Sequence, residues 1–218
     1  MSINNFSEIV IRQCGGLGDI LFCLRIAEEI HKKYNCSVTW PIFSTIPSLS
    51  EYLDCPYINW TTWNDEIDTD LRSYGLKHGP VVTADNRLIL PLDTAIDGIQ
   101  TVFSEYKAGI MEAKYDLMRL SHENWQDSIK LKRNTERESS LYYDVLGLKD
   151  DQDYTFSCRW YQTPLPPCNM HPRGRPSLLS EFMDIDKFEQ PVIELQFMPE
   201  YNALDWLMVI ERAKHIEV

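Results

Sequence analysis

Short apolar runs alternate with amphipathic segments along the first 60 residues. The run "EIVIRQ" (8–13) predicts a β-strand, and from Ile20 to Ile30 apolar residues recur at helical spacing. "CSVTWPIF" (36–43) predicts a second strand, "IPSLSEYL" (46–53) a short helix and "YINW" (57–60) a third strand. Strand–helix–strand at this pitch is typical of a parallel, doubly wound α/β sheet.

The pattern continues less regularly and then starts again. "RLILPLD" (87–93) predicts a buried strand, and residues 103–133 and 139–148 predict helices. A second series follows, with strands at "YTFSCRW" (154–160), "PVIELQF" (191–197) and "HIEV" (215–218) and a helix over 202–214. We therefore expect a Rossmann-like domain over residues 1–150 and a smaller α/β lobe over residues 151–218.

Charge and composition narrow the classes of function. The net charge is −12 and the isoelectric point is near 4.8, which argues against a general nucleic-acid or anionic-membrane surface. No apolar run approaches the roughly 18 residues of a membrane span. The N-terminus "MSINNFSEIV" has neither the basic nor the apolar region of a signal peptide, so we expect a cytoplasmic protein with free thiols.

The segment "GGLGD" (15–19) stands where the first strand turns into the first helix. Glycines there let the backbone approach a ligand, and the helix N-terminus supplies free N–H groups and positive potential. The segment is not the dinucleotide fingerprint GxGxxG, because Leu21 replaces its third glycine, and it is not a Walker loop. Asp19 then has two compatible roles. It can cap the helix, or it can act as a general base at the carboxyl edge of the sheet.

The stretch "RQCGGLGDIL" (12–21), followed by an amphipathic helix, resembles the N-terminal loop of GT-B glycosyltransferases of the bacterial heptosyltransferase type. The resemblance implies a GT-B-like fold, with an N-terminal Rossmann-like parallel sheet on the acceptor side and an abbreviated donor-side lobe. It implies that Asp19 is the base that deprotonates the acceptor hydroxyl, and that Arg12, Gly15, Gly16 and Gly18 bind substrate nearby. "LYYDVLGL" followed by "YTFSCRW" resembles the entry into the second domain of such enzymes.

The donor diphosphate needs local positive charge in so acidic a chain. Arg159, at the end of a predicted strand, and Arg173 and Arg175, in the loop "HPRGRP" (171–176), are the candidates, although a surface loop is the simpler explanation of the last two. We expect neither a metal nor another cofactor, since the resembled family needs none. Asp-x-Asp occurs at residues 68–70, 151–153 and 184–186, but chance alone gives about one such match in a chain so rich in aspartate, so the pattern carries little information.

Two functions remain open. The first is an enzyme that moves a sugar from a nucleotide-sugar donor to a hydroxyl acceptor without a metal. The second is a non-catalytic relative that binds a glycan or nucleotide or serves in a structural assembly. The intact "GGLGD" favours the first. The second is favoured because the family's donor signature, an Asp-Ser/Thr pair followed by His, would come after a strand such as "HIEV", at which this sequence ends.

Overall fold

The computed structural model describes residues 6–44, 46, 49–73, 79–93, 109–158, 160–161, 175–176, 189–195, 198 and 200–217. Contacts between Cα atoms divide the chain into two compact units, Met1–Lys132 and Arg133–Val218. The sequence pattern puts the division near residue 150 instead. The difference is the segment 133–150, whose Leu141 and Tyr142 lie in one buried cluster with Phe156 and Trp206 of the second unit.

Unit 1 is built on a five-stranded sheet in the order β3-β2-β1-β5-β4. Its strands are β1 (Glu8–Arg12), β2 (Val38–Ile42), β3 (Ile58–Thr62), β4 (Val81–Val82) and β5 (Arg87–Pro91). The pairs β1–β2, β2–β3 and β1–β5 are parallel, and the short edge strand β4 is antiparallel to β5. The predicted α/β class with a parallel N-terminal sheet is confirmed.

β1 is the central strand because both of its faces are apolar and covered. Ile9 and Ile11 are fully buried, and so is their neighbour Ile89 on β5. In the register, Ile9 lies opposite Val38 on one side and Leu88 on the other. A parallel strand buried on both faces reads as a continuous apolar run, which is how "EIVIR" appears in the sequence.

Four helices of unit 1 are described, namely α1 (Leu17–Tyr34), α2 (Leu49–Tyr52), α3 (Asp65–Ser73) and α4 (Ile110–Met118). α1 buries the apolar stripe that predicted it, including Ile20, Leu24 and Ala27. It ends at Asn35, whose left-handed φ of 49° is tolerated by asparagine.

The helix predicted over residues 103–133 is wrong over much of its described part. α4 ends at Arg119, which has a left-handed φ of 54°, and only a 3₁₀ turn follows, Trp125–Ser128. The backbone beyond that turn pairs elsewhere: Leu131 forms a bridge with Leu53, and Lys130 O accepts a hydrogen bond from Asp54 N. Composition favoured a helix, but these tertiary hydrogen bonds stabilise an extended backbone instead.

Unit 2 contains a three-stranded parallel sheet in the order β10-β6-β9 and a two-stranded antiparallel pair, β7–β8. The strands are β6 (Thr155–Ser157), β7 (Trp160–Tyr161), β8 (Arg175–Pro176), β9 (Val192–Glu194) and β10 (His215–Glu217). α5 (Thr135–Ser139) continues into a π-helical turn, Ser140–Val145, and a 3₁₀ turn, Ala203–Trp206, leads into α6 (Leu207–Glu211). The smaller α/β lobe is thus present.

Within the described part of the chain, no helix has both the length and the apolar character needed to cross a membrane.

Candidate functional site

The loop after β1 brings the glycines and Asp19 to the carboxyl edge of the parallel sheet. β1 ends at Arg12, and α1 begins at Leu17, so the last three residues of "GGLGD" form the first turn of the helix. Gly16, directly before that turn, has a φ of 75°, which favours glycine. Carboxyl edges of parallel strands are where open α/β sheets bind ligands, and Asp19 lies at this edge.

Asp19 is held by a buried lysine. Its Oδ1 accepts a hydrogen bond from Lys114 Nζ at 2.6 Å, and Lys114, from α4, is fully buried. The carboxylate itself is 35% exposed. Among the described residues Lys114 is the hydrogen-bond partner of this side chain, and the N-cap position of α1, Gly16, receives no side-chain cap. The contact described for the Asp19 carboxylate is thus an ion pair with Lys114.

Gln13 connects this ion pair to the glycine loop. Its Oε1 accepts from Lys114 Nζ at 2.7 Å, and its Nε2 donates to the carbonyl of Gly15 at 2.6 Å. Its own carbonyl accepts from the indole N–H of Trp40 at 2.9 Å. Gln13 is itself buried, so the loop, the lysine and Asp19 form one hydrogen-bonded group.

Gly16 lies against the second oxygen of the same carboxylate. A Cβ built on Gly16 would stand 2.5 Å from Asp19 Oδ2, whereas a Cβ on Gly18 would meet no atom of the described residues within 4 Å. The backbone conformation of Gly16 therefore favours glycine, and a side chain there would displace the carboxylate of Asp19. Oδ1 is used by Lys114 and Oδ2 borders the glycine loop.

An aromatic wall follows the same edge. Phe43 and Trp63, directly after β2 and β3, contact each other edge to face with ring centroids 6.2 Å apart. The guanidinium of Arg12 lies 5.7 Å from the Trp63 ring centroid, at cation–π distance, and Arg12 is only 5% exposed. Arg12 therefore packs under this wall rather than projecting into solvent.

The thiols of unit 1 at this site are unreactive small hydrophobes. Burial is the main cause that raises the pKa of Cys14 to about 12, and the nearby carboxylate of Asp93 is the second cause. The Sγ of Cys14 donates to Asp93 Oδ2 at 3.4 Å. Burial likewise raises the pKa of Cys23, on the buried face of α1, to about 12. At neutral pH both remain protonated, so neither is a nucleophile.

The structure places some predicted site residues together and is silent on others. Gly15, Gly16, Gly18 and Asp19 share the loop and the first turn of α1, and Arg12 ends the strand before them. Arg159 and Arg173 lie outside the described residues. Arg175 pairs with Tyr161 in the backbone of β7–β8, and its side chain is not described.

Lys114 and Gln13 were not among the residues selected from the sequence. One signal was available. In "IMEAKYDLM" Lys114 stands four residues after Ile110 and three before Leu117, so it occupies the apolar stripe of a helix. A lysine in such a position is either snorkelling or paired, and only the fold shows that its partners come from the segment after β1.

The described residues contain no group of three or more His, Cys, Asp or Glu side chains that could hold a metal ion. Of the Asp-x-Asp pairs, Asp70 forms an ion pair with Arg87 at 2.9 Å, and Asp153 forms one with Lys214. Asp184 and Asp186 lie outside the described residues.

No protein-family model matches this chain, and no curated protein matches its sequence. Its fold is similar to that of a solved glycosyl transferase family 9 structure from Veillonella parvula DSM 2008, with a TM-score of 0.51 and 10% sequence identity. The alignment covers 99% of this chain and 75% of that chain. At 10% identity the similarity shows the fold alone. That fold agrees with the α/β class predicted from the sequence.

Proposed function

We propose that this protein is a glycosyltransferase that moves a sugar from a nucleotide-activated donor to a hydroxyl acceptor, with Asp19 as the general base. The observation that carries the proposal is the placement of Asp19. It is partly exposed, at the carboxyl edge of the sheet, with Oδ1 held by Lys114 and Oδ2 beside the glycine loop. The glycosyltransferase fold of the structural neighbour supports it.

The reaction follows from the chemistry of such a base. The acceptor oxygen attacks the anomeric carbon while its proton passes to Asp19, and the bond from that carbon to the donor phosphate oxygen breaks with release of the nucleoside diphosphate. Positive charge near the leaving group stabilises it, and we assign that task to Arg159, Arg173 and Arg175 without a metal ion. The backbone of Gly15, Gly16 and Gly18 binds the acceptor, and Arg12 supports its site through Trp63.

The test is transfer by the full chain across a panel of sugar nucleotides and hydroxyl acceptors, compared with Asp19→Asn. Loss of a general base lowers the rate by about 10²–10⁴-fold, and donor binding should persist. Asp54→Asn is the matched control, because Asp54 is an exposed carboxylate of unit 1 that pairs with Lys132 at 3.7 Å. Equal rates for Asp19→Asn and the parent would show that Asp19 is not the base.

A second function is favoured by the ion pair itself. Lys114 gives Asp19 a structural task that requires no reaction, as expected in a non-catalytic relative that binds a glycan or nucleotide or serves in an assembly. The same panel separates the two. Saturable binding of a glycan or sugar nucleotide with no turnover supports the binding protein, and turnover supports the enzyme.

A further inference from the structure

We propose that Lys114 is the positioning residue of the site: it fixes the carboxylate of Asp19 so that Oδ2 faces the acceptor hydroxyl. This inference rests on the proposed function, since it assigns the support of the proposed base. Lys114 is fully buried, so it does not itself contact substrate.

The burial of Lys114 requires that its ammonium be paired. Lysine is almost never fully buried unless it is paired, because removing an ammonium from water without partners is costly. Lys114 has two partners, Asp19 Oδ1 at 2.6 Å and Gln13 Oε1 at 2.7 Å. Both distances are those of strong, charge-assisted hydrogen bonds, which restrict the orientation of the groups they join.

The two partners of Lys114 lie in different parts of the segment after β1. Gln13 and Asp19 stand on either side of the glycines, and Lys114 reaches both from α4, about a hundred residues away in sequence. Gln13 also donates to the carbonyl of Gly15, so the lysine holds the loop as well as the carboxylate. A single buried ammonium thus sets the geometry of the loop relative to the proposed base.

The hydrogen bond from Lys114 restricts the carboxylate of Asp19. With Oδ1 bound to Lys114, rotation of Asp19 is limited, and Oδ2 stays at the border of Gly16. A general base must lie within hydrogen-bond reach of the proton it accepts, and a displacement of about 1 Å can lower a rate by about 10²-fold. When Asp19 takes up a proton, it loses its negative charge. The ammonium of Lys114 then remains hydrogen-bonded to Gln13.

The kinetic test compares Lys114→Met with the parent. We expect kcat for sugar transfer to fall by about 10²-fold while KM for donor and acceptor changes by less than about threefold, since only the alignment of the base is lost. Lys114→Arg retains the charge and the donors and should restore kcat to within about tenfold of the parent. Lys32→Met is the matched control on α1, because Lys32 is exposed and pairs with Glu28 and Glu29.

The structural test does not need turnover. Crystal structures of the parent and Lys114→Met should differ in the rotamer of Asp19, with the carboxylate leaving Gly16 in the variant. An unchanged carboxylate, or a kcat for Lys114→Met no lower than that of Lys32→Met, overturns the inference. If the parent transfers no sugar, the proposed function fails, and the crystallographic comparison alone decides whether Lys114 positions Asp19. If Lys114→Met does not fold, the parent is compared with Lys114→Arg. The carboxylate of Asp19 should keep the parent position in that variant, and a displaced carboxylate overturns the inference.

Discussion

The Asp19–Lys114 ion pair changes what a substitution of Asp19 is expected to do. If Asp19 were only a helix cap, the isostere Asp19→Asn would leave the melting temperature nearly unchanged. In the structure, however, the same change removes the negative partner of a fully buried ammonium. An unpaired buried charge is among the more costly defects in a protein, so the variant acquires a stability cost that does not come from catalysis.

We expect Asp19→Asn to lower the free energy of unfolding by about 1–3 kcal/mol, below the cost of breaking a fully buried pair because the carboxylate is partly exposed. The double variant Asp19→Asn/Lys114→Met should recover most of this loss, since no buried ammonium is then left without an anionic partner. Urea unfolding of the parent, both single variants and the double variant measures the coupling. Strictly additive effects would show that the two side chains do not interact in solution.

Two glycines of the loop should respond in opposite ways to alanine. Gly16→Ala places a Cβ on a residue with φ of 75° and 2.5 Å from Asp19 Oδ2, so we expect a loss of about 1–3 kcal/mol. Gly18→Ala adds a methyl group in open space within the first turn of α1 and should be neutral or slightly stabilising. Thermal unfolding of the two variants makes the comparison. A destabilised Gly18→Ala would mean that the opening beside Gly18 is absent in solution.

At the residue scale the sequence located the proposed base, Asp19, but not the lysine that binds it. Asp19 was identified because a strand, a glycine turn and an apolar helical stripe are local patterns that place it at the sheet edge. Lys114 could not be assigned a role in the same way, because its partners lie about a hundred residues away in sequence.

At the scale of elements, α1 is joined to the 3₁₀ turn Trp125–Ser128 through one carboxylate. Glu28 Oε2 accepts from the hydroxyl of Ser128 at 2.6 Å, and its Oε1 lies 3.0 Å from Lys32 Nζ. Burial alone would raise the pKa of Glu28, but the hydrogen bond from Ser128 and the contact with Lys32 lower it below its ordinary value. The ionised form therefore stabilises the folded state.

This shift gives a pH dependence with a definite sign. Because the folded pKa lies below that of the unfolded chain, near 4.3, the contribution is complete above about pH 5 and is lost as the pH falls through the folded value. Glu28→Gln should cost about 0.5–1.5 kcal/mol at pH 7 and nothing at acidic pH below both pKa values. Urea unfolding over a series of pH values from 7 downwards tests this, with the more exposed Glu29→Gln as control. A loss that does not change with pH across the series would contradict the assignment.

Helices and strands could be predicted from the sequence where a local pattern determines them. α1 and the strands β1, β2 and β3 were predicted because each carries its own periodic pattern. The structure of the segment 120–134 was not predicted, because its backbone pairs with residues near Leu53 and Asp54. Local composition gives no sign of this pairing. The short helices of unit 2 also depend on caps such as Asn202, whose side chain accepts from Leu204 N.

At the scale of the whole molecule, the sequence predicted an α/β chain with two α/β parts but not which strands are neighbours. β5 pairs with β1 across more than 70 residues, and the segment 133–150 packs with the second unit. These are long-range contacts, and a periodic pattern contains no information about them. The tasks proposed for the two parts, acceptor binding in the first and donor binding in the second, remain proposals.

The net charge of −12 predicts how the association of the proposed donor, an anionic sugar nucleotide, depends on salt. A strongly acidic molecule repels an anion at long range, and this repulsion extends about 30 Å at 0.01 M salt but only about 8 Å at 0.15 M. We therefore expect the association rate constant of the donor to rise by roughly two- to tenfold when the salt is raised between these concentrations. Stopped-flow binding measures this rate, with the uncharged nucleoside as a control that should not respond. A rate that falls with salt would instead mean that a local cluster of cations, for which Arg159, Arg173 and Arg175 are the proposed residues, outweighs the field of the whole chain.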